Sequence, residues 1–342
     1  MKNITKKMIS ALICVGLAGC GSAASSAASA ATAASGTAAG TAAAKSVKIG
    51  MIQYVQHAAL DKATQGFKDA LKDAGYVEGQ NLTLDEQNAQ GDVSNCETIA
   101  NTLVNEGVDL IFANATPAAQ AVAAKTDSIP IVITSVTDPE SSGLVSSNDK
   151  PGGNVTGTSD LTPVEQQIDL LTQLIPDAKT IAIMYNNSED NSIFQADIAR
   201  KCAEAKGLKT TDFTVSDSSQ IQSVAESMVG KVDAVYIPTD NLLAEGMANV
   251  TQVTNANHLP VIVGESGMCE NGGLATYGID YYNLGVKAGE MAVKVLEGSS
   301  PADMPIEYLP AEQCELSVNM TAADQLGITI PDDIKAKAKV VG

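Results

Sequence analysis

Tryptophan is absent from this chain, phenylalanine occurs four times and histidine twice. With so little imidazole there is no material for a His-rich metal centre. No pair of cysteines has CxxC or other metal-ligand spacing, so neither a metal nor a cofactor is expected. HExxH, GxSxG, a Walker loop and GxGxxG are all missing, and nothing nominates an enzyme. Basic residues are scarce: 21 lysines and arginines face 40 acids, a net charge of −19. A body this acidic repels nucleic acid and anionic lipid surfaces. The N-terminal apolar run, Met8–Leu17, is too short to span a bilayer, and no other stretch is long and apolar enough.

What the N-terminus does contain is a pattern. Lys2, Lys6 and Lys7 precede the apolar run, which ends in Leu17-Ala18-Gly19-Cys20. A charged start, a short apolar stretch and small residues make a secretory signal. The last four residues resemble the bacterial lipobox. That resemblance implies a signal peptide over 1–19, removed before a lipidated Cys20. Its removal takes three lysines and no acid, which deepens the net charge from −19 to −22. Gly21–Ala44 is almost only Ala, Ser, Thr and Gly, and cannot bury enough surface to fold. Residues 20–45 therefore read as an anchor and flexible tether reaching roughly 25–30 Å. The expected location is extracytoplasmic, lipid-anchored to a bacterial membrane. Export permits disulfides. Cys96 and Cys202 sit in helical patterns as core residues, while Cys269 and Cys314 lie in loops where a bridge is one option.

From Val47 onward strands alternate with helices of 10–15 residues, the pattern of βαβ units and a parallel sheet. The order KIGMIQ, LTLDEQ, VDLIFA, Thr-Pro, IPIVIT recurs as TIAIMY, KTTDFTV, VDAVYI, Thr-Asp, LPVIV. The chain thus reads as α/β, with two similar doubly wound parallel-sheet lobes joined by a three-segment hinge. Lobe I is expected over 46–157 and 281–305, and lobe II over 158–280 and 306–342. A capping box at Thr162-Pro163-Val164-Glu165 should open a helix after the first crossing.

Ligands of such folds bind at the carboxyl ends of the strands, between lobes. Thr116-Pro117 follows the buried run Val108–Ala113, with Thr as expected N-cap and Pro at the first helical position. Its hydroxyl and the next N–H groups suit a carboxylate. Thr134 and Ser135, ending the next strand, are expected second contacts. Asp240 occupies the matching joint of lobe II, where it would pair with an α-ammonium or cap a helix. Asn186 and Ser188 end the first strand of lobe II. Asp160 and Asp280 stand at crossings. Tyr54, with His57 beside it, offers an aromatic wall. Tyr185, Tyr236 and Tyr277 read as core.

Taken in order, QYVQHAALD, NATPAAQ, PGGNVTGTSD, YNNSEDNS, YIPTDN and ATYGIDYYNLG resemble the substrate-binding lipoproteins of ABC transporters. The likeness is to the subfamily with tryptophan- and tyrosine-binding members, which is periplasmic-binding-protein type I-like, and covers Val47 to about Gly327. Where the family has HPALD, this chain has His57-Ala58-Ala59-Leu60-Asp61. The resemblance implies a monomeric, non-enzymatic clamp that delivers a free amino acid, aromatic by analogy, to an ABC permease and its ATPase. Two other readings stay open: a binder of a neutral solute such as a nucleoside or sugar, and a ligand sensor for a membrane receptor.

Overall fold

The computed structural model of the chain describes residues 46–310 and 313–342. The signal-like segment, Cys20 and the tether lie outside the described residues. The first sheet is built from β1 (Val47–Gln53), β2 (Leu82–Asn88), β3 (Leu110–Asn114), β4 (Ile131–Val136) and β5 (Val155–Ser159). Helices α1 (Ala58–Asp73), α2 (Val93–Asn105) and α3 (Thr116–Ala123) connect them. The chain then crosses. The second lobe runs α4 (Val164–Leu174), β6 (Thr180–Asn186), α5 (Asp190–Ala205), β7 (Lys209–Val215), α6 (Ile221–Met228) and β8 (Ala234–Ile237). It continues through α7 (Asn241–Glu245), α8 (Met247–Ala256), β9 (Val261–Val263), α9 (Ser266–Glu270) and β10 (Ala275–Gly278). Helix α10 (Tyr281–Leu296) and β11 (Glu307–Tyr308) return to the first lobe. The tail, β12 (Glu315–Asn319), α11 (Met320–Leu326), α12 (Asp332–Lys335) and β13 (Lys339–Val341), ends in the second.

The sheet orders are β11-β5-β4-β3-β1-β2 and β13-β12-β10-β9-β8-β6-β7. The sequence repeat is thereby a structural one, since β2-β1-β3-β4-β5 recurs as β7-β6-β8-β9-β10. All pairings are parallel except β10 with β12. Central strands such as β3, buried at every position, are covered on both faces and so read as unbroken apolar runs. Edge strands β2 and β7 carry polar residues instead. In the first lobe one apolar layer lies under α2 and α3, and the other under α1 and α10. Phe67 of α1 stacks on Phe112 of β3 with centroids 3.9 Å apart.

Strand β5 stays in the first sheet to Ser159, beyond the boundary expected at 157. β11 pairs with it at Glu307↔Thr158 and Tyr308↔Ser159, although 306 onward was assigned to lobe II. A two-residue strand has no periodicity to read, so its sheet is set by tertiary contact alone. Thr156 Oγ1 donates to the Met304 carbonyl at 2.8 Å and helps tie this return segment down. Two of the crossings thus fall at 160–163 and 279–280, and the chain is back in the second sheet by Glu315.

Two expected caps are not formed. The N-cap position of α4 is Pro163, with no side-chain cap, and the Thr162 hydroxyl is buried without a partner. Helix α3 starts at Thr116 itself, with Ala115 at the N-cap position. Cys269, offered above for a bridge, is a buried free thiol.

Helices α1 and α10 meet through small residues. A Cβ on Gly285 would lie 1.9 Å from the Ala63 carbonyl oxygen, and one on Gly66 2.1 Å from that of Tyr282. Only glycine permits this approach. The result is a fixed pair of helices whose N-termini, at His57 and Tyr281, reach the space between the lobes.

Candidate functional site

The carboxyl ends of both sheets face one small cavity of about 10 Å³, room for about one water molecule. That is far below the roughly 300 Å³ of an ordinary small-molecule site, the two lobes having closed on one another. His57, Leu60 and Ser135 line it from the first lobe, Asp160 and Tyr281 from the crossings, and Asn191, Thr239, Asp240, Asn241, Ala244 and Glu265 from the second. A larger groove beside α1, lined by Gln53, Asp61, Thr64, Lys68 and Glu86, lies wholly on the first lobe. Its lysine is already paired with Glu86 at 2.5 Å. Lobe closure does not shape it.

The lobes touch directly around the cavity. His57 Nε2 lies 3.3 Å from Asn241 Oδ1, Thr137 Oγ1 lies 3.5 Å from Thr239 Oγ1, and Gln195 Nε2 donates to Thr137 Oγ1 at 3.1 Å. At the rim Gln120 Nε2 donates to Asp190 Oδ2 at 2.7 Å.

Four carboxylates are buried at this junction. Asp160 accepts from Tyr281 Oη at 2.8 Å and from Thr137 Oγ1 at 3.1 Å. Asp240 accepts the Asn186 N–H at 2.5 Å and the Leu243 N–H at 2.8 Å, which caps α7. Glu265 caps α9, taking the Gly267 and Met268 N–H groups at 2.6 Å each. Glu189 gathers the side-chain amides of Asn186, Asn191 and Asn241. Among the described residues no lysine or arginine is ion-paired with any of the four. Burial pushes the Asp160 carboxyl up to about 6 and that of Glu265 up to about 7. Burial and the nearby Glu189 charge raise Asp240 as well. Burial acts oppositely on His57, lowering its pKa and keeping the ring neutral.

Of the residues singled out by sequence, His57, Ser135, Asp160 and Asp240 line the cavity. The others do not. Thr134 is fully buried and accepts from Thr158 Oγ1 at 3.0 Å within the sheet. Thr116 is fully buried, outside the lining and not at a cap, and its hydroxyl has no partner. Tyr54 packs in the first-lobe core and donates to the Gly91 carbonyl at 2.9 Å. Asn186 holds Glu189 and Asp240 from behind. Ser188 is exposed, because its turn aims Glu189 and Asn191 inward instead. Asp280 is exposed too. It caps α10 by accepting the Tyr282 and Asn283 N–H groups, and its neighbour Tyr281 takes the buried place.

Two non-glycine residues at the strand ends hold left-handed backbone: Ala115 with φ 87° and Ser135 with φ 54°. Such conformations cost about 1–3 kcal/mol each and cluster at functional sites. They re-aim the chain beyond β3 and inside β4, so that Ser135 faces the cavity while Thr134 does not. Asn191, Thr239, Asn241, Glu265 and Tyr281 line the cavity as well, without having been singled out by sequence. The NNSEDNS turn was the only advance signal for Asn191, and the Thr-Asp-Asn joint for Thr239 and Asn241.

Known proteins carry the same architecture. Residues 48–341 match the family described as ABC transporter substrate binding protein. A tyrosine-binding protein of Clostridioides difficile is 42% identical over 316 residues, covering 92% of this chain and 91% of its own. A Streptococcus pneumonia ABC domain in complex with L-Trp superposes with a TM-score of 0.84 at 39% identity, over 87% of this chain and all of that one (100%). A ligand-free, open substrate-binding protein with adhesive properties from Clostridium difficile gives a TM-score of only 0.66 despite 42% identity, over 86% of this chain and 99% of its own. The lower score on the more identical chain fits the direct contacts between lobes seen here: the cleft is closed. Two repeated α/β lobes shut on a polar cavity, matched over nearly the whole body, make this chain a member of the ABC transporter substrate-binding protein family.

Proposed function

We propose that the chain is the extracytoplasmic solute-binding component of an ABC importer, tethered through a lipid on Cys20, and that it clamps a free aromatic amino acid. The tyrosine- and L-Trp-binding relatives support the ligand class. One observation carries the site. In a cavity shared by both lobes, Ser135 Oγ, Asn191 Oδ1 and His57 Nδ1 are buried without partners. Buried polar atoms are normally satisfied, so these are the acceptors and donors that a polar ligand entering the cleft would meet.

The acidic side of the cavity, Asp160 and Asp240, receives the α-ammonium. Ser135 Oγ, and behind it Thr116 Oγ1 with the first N–H groups of α3, face the carboxylate. Leu60, Ala244 and Tyr281 pack on the side chain. Closure presents both lobes to a permease, and no bond of the ligand is made or broken. The body works as a monomer and contacts no nucleic acid.

A calorimetric and thermal-shift screen of tyrosine, tryptophan, phenylalanine, nucleosides and sugars on the full chain tests this. A hundredfold excess over Kd stabilises by about 2.7 kcal/mol, a visible shift. Stabilisation by an aromatic amino acid supports the reading. Stabilisation by a nucleoside or sugar alone, or by nothing, overturns it.

A further inference from the structure

We propose that Gln195 and Thr137 form a latch between the lobes that sets how long a ligand stays bound, without either residue touching it. The inference goes beyond the ligand reading above and rests on that reading only for its probes.

The latch begins with a residue out of keeping with its neighbours. The buried face of α5 is otherwise short: Asn191, Ser192, Ala196, Ala199 and Ala203. Gln195 stands among them with none of its surface exposed. A buried amide is costly unless its N–H groups and carbonyl find partners. Its Oε1 accepts the Thr239 N–H at 3.5 Å, and a backbone N–H only donates, so the amide orientation is fixed. Its Nε2 has two hydrogens. One goes to the Thr239 hydroxyl in its own lobe. The other crosses the cleft to Thr137 Oγ1 at 3.1 Å, a closer partner than the Asn191 carbonyl at 3.4 Å.

Thr137 is an equally fixed catch. It follows β4, where pairing with β5 shifts register between Ile133 and Val136, and its carbonyl accepts from Ser159 Oγ at 2.7 Å. Its one hydroxyl hydrogen goes to Asp160 Oδ1 at 3.1 Å. The oxygen is then free to accept from Gln195, and the chain runs one way: amide to hydroxyl, hydroxyl to carboxylate. Thr239 Oγ1 lies 3.5 Å from Thr137 Oγ1 and closes a buried triangle of side chains drawn from both lobes.

The other contacts between the lobes are of a different kind. His57 and Asn241 both line the ligand cavity, and the bond from Gln120 to Asp190 is exposed at the rim. Gln195 and Thr137 are buried and outside the lining. A ligand enters before the latch forms and leaves only after it breaks. The bond therefore acts on the off-rate and not on the on-rate.

Stopped-flow kinetics on the full chain test this. The chain has no tryptophan, so bound L-tryptophan is the sole indole of the complex and its emission follows release. Radiolabelled L-tyrosine with an unlabelled chase is the second probe. Gln195→Leu keeps the bulk without the amide and should raise the off-rate about tenfold, with the on-rate within about twofold of the parent. Thr137→Val should raise it at least as much, because it also takes a hydrogen bond from Asp160. Thr137→Ser keeps the hydroxyl and should stay within about threefold of the parent. The double variant Gln195→Leu with Thr137→Val should release no faster than Thr137→Val alone, since both changes break one bond. Local damage within either lobe would not produce that coupling. The two residues lie in different lobes, so if one variant loses its circular dichroism the other still decides. An unchanged off-rate in Gln195→Leu or Thr137→Val overturns the inference and leaves the amino-acid reading standing. So do effects that multiply in the double variant, or a loss carried by the on-rate. A parent chain that binds neither amino acid sinks both.

Discussion

The strand-to-helix joint that follows β3 and the one that follows β8 are the same piece of sequence logic used twice, with opposite outcomes. After β8, Asp240 stands at the N-cap of α7 and both carboxylate oxygens hold backbone N–H groups. Each oxygen of that carboxylate thus serves the backbone first. After β3, Ala115 takes the cap position in a strained conformation, and the Thr116 hydroxyl beyond it is buried without a partner. One joint is held by its own backbone and builds a rigid acidic wall. The other leaves capacity unspent. The residue with the better hydrogen bonds is therefore the more structural of the two, and the unsatisfied one is where a ligand gains most by arriving.

The broadest way to test this contrast is pH. Asp160 and Glu265 sit at about 6 and about 7 in the folded chain, above their ordinary values of 3.8 and 4.5, with Asp240 raised beside Glu189 and Tyr54. Tyr281 faces Asp160, and Lys62 and Glu270 flank Glu265. Folded protein then holds more protons than unfolded protein between pH 4 and 7, so these groups stabilise most at low pH, and their contribution is lost as pH rises through 6 to 7. The slope is about 1.4 kcal/mol per pH unit for each carboxyl whose protonation differs between the two states. Ligand-free protein should thus melt higher at pH 5.5 than at pH 8, and affinity for an ammonium should move the other way. A melting temperature that rises with pH across this window would contradict the acidic-wall account.

Next in size is Asp240→Asn. An amide can accept one of the two N–H groups but turns an NH₂ on the other, a loss of about 1–3 kcal/mol. Chemical denaturation of the ligand-free protein should show it. Unchanged stability with lost binding would make Asp240 a ligand contact first and a cap second.

Thr116→Val asks the converse. Replacing an unpartnered buried hydroxyl with a methyl group should leave the ligand-free protein as stable or more so, by up to about 1 kcal/mol. Amino-acid affinity should fall by about tenfold if the hydroxyl reaches the carboxylate. A marked loss of stability would show that Thr116 is structural after all. The smallest effect belongs to Gln120→Ala, which removes the exposed bond to Asp190 across the rim. It should lower affinity by no more than about fivefold, read as a faster off-rate, since an exposed polar contact contributes less than about 1 kcal/mol.

The fold was legible because parallel strands buried on both faces leave continuous apolar runs. VDLIFA and VDAVYI, each followed by a Thr-containing joint, exposed the repeat and with it the cleft. The crossings at Asp160 and Asp280 were found for the same reason, but not which neighbour points inward. At the second crossing the cap is Asp280 and the buried group is Tyr281. In the turn at 186–192 the exposed residue is Ser188, and the inward ones are Glu189 and Asn191. Turn side chains follow backbone angles rather than any period, so a one-residue error there was unavoidable. Glu265 was hidden for another reason: it caps a helix of five residues, too short to leave an amphipathic pattern. β11 was misplaced because so short a strand answers only to its partner.

The glycine seam between α1 and α10 bears on how closure can be observed. Because Gly66 and Gly285 let the two backbones touch, His57 and Tyr281 ride on one stiff lever, although they come from opposite ends of the first lobe's sequence. A pair of spectroscopic labels placed along these two helices should stay at constant separation through the whole ligand cycle and serve as an internal ruler. A third label on α5, across the rim, would then report the swing of the second lobe alone.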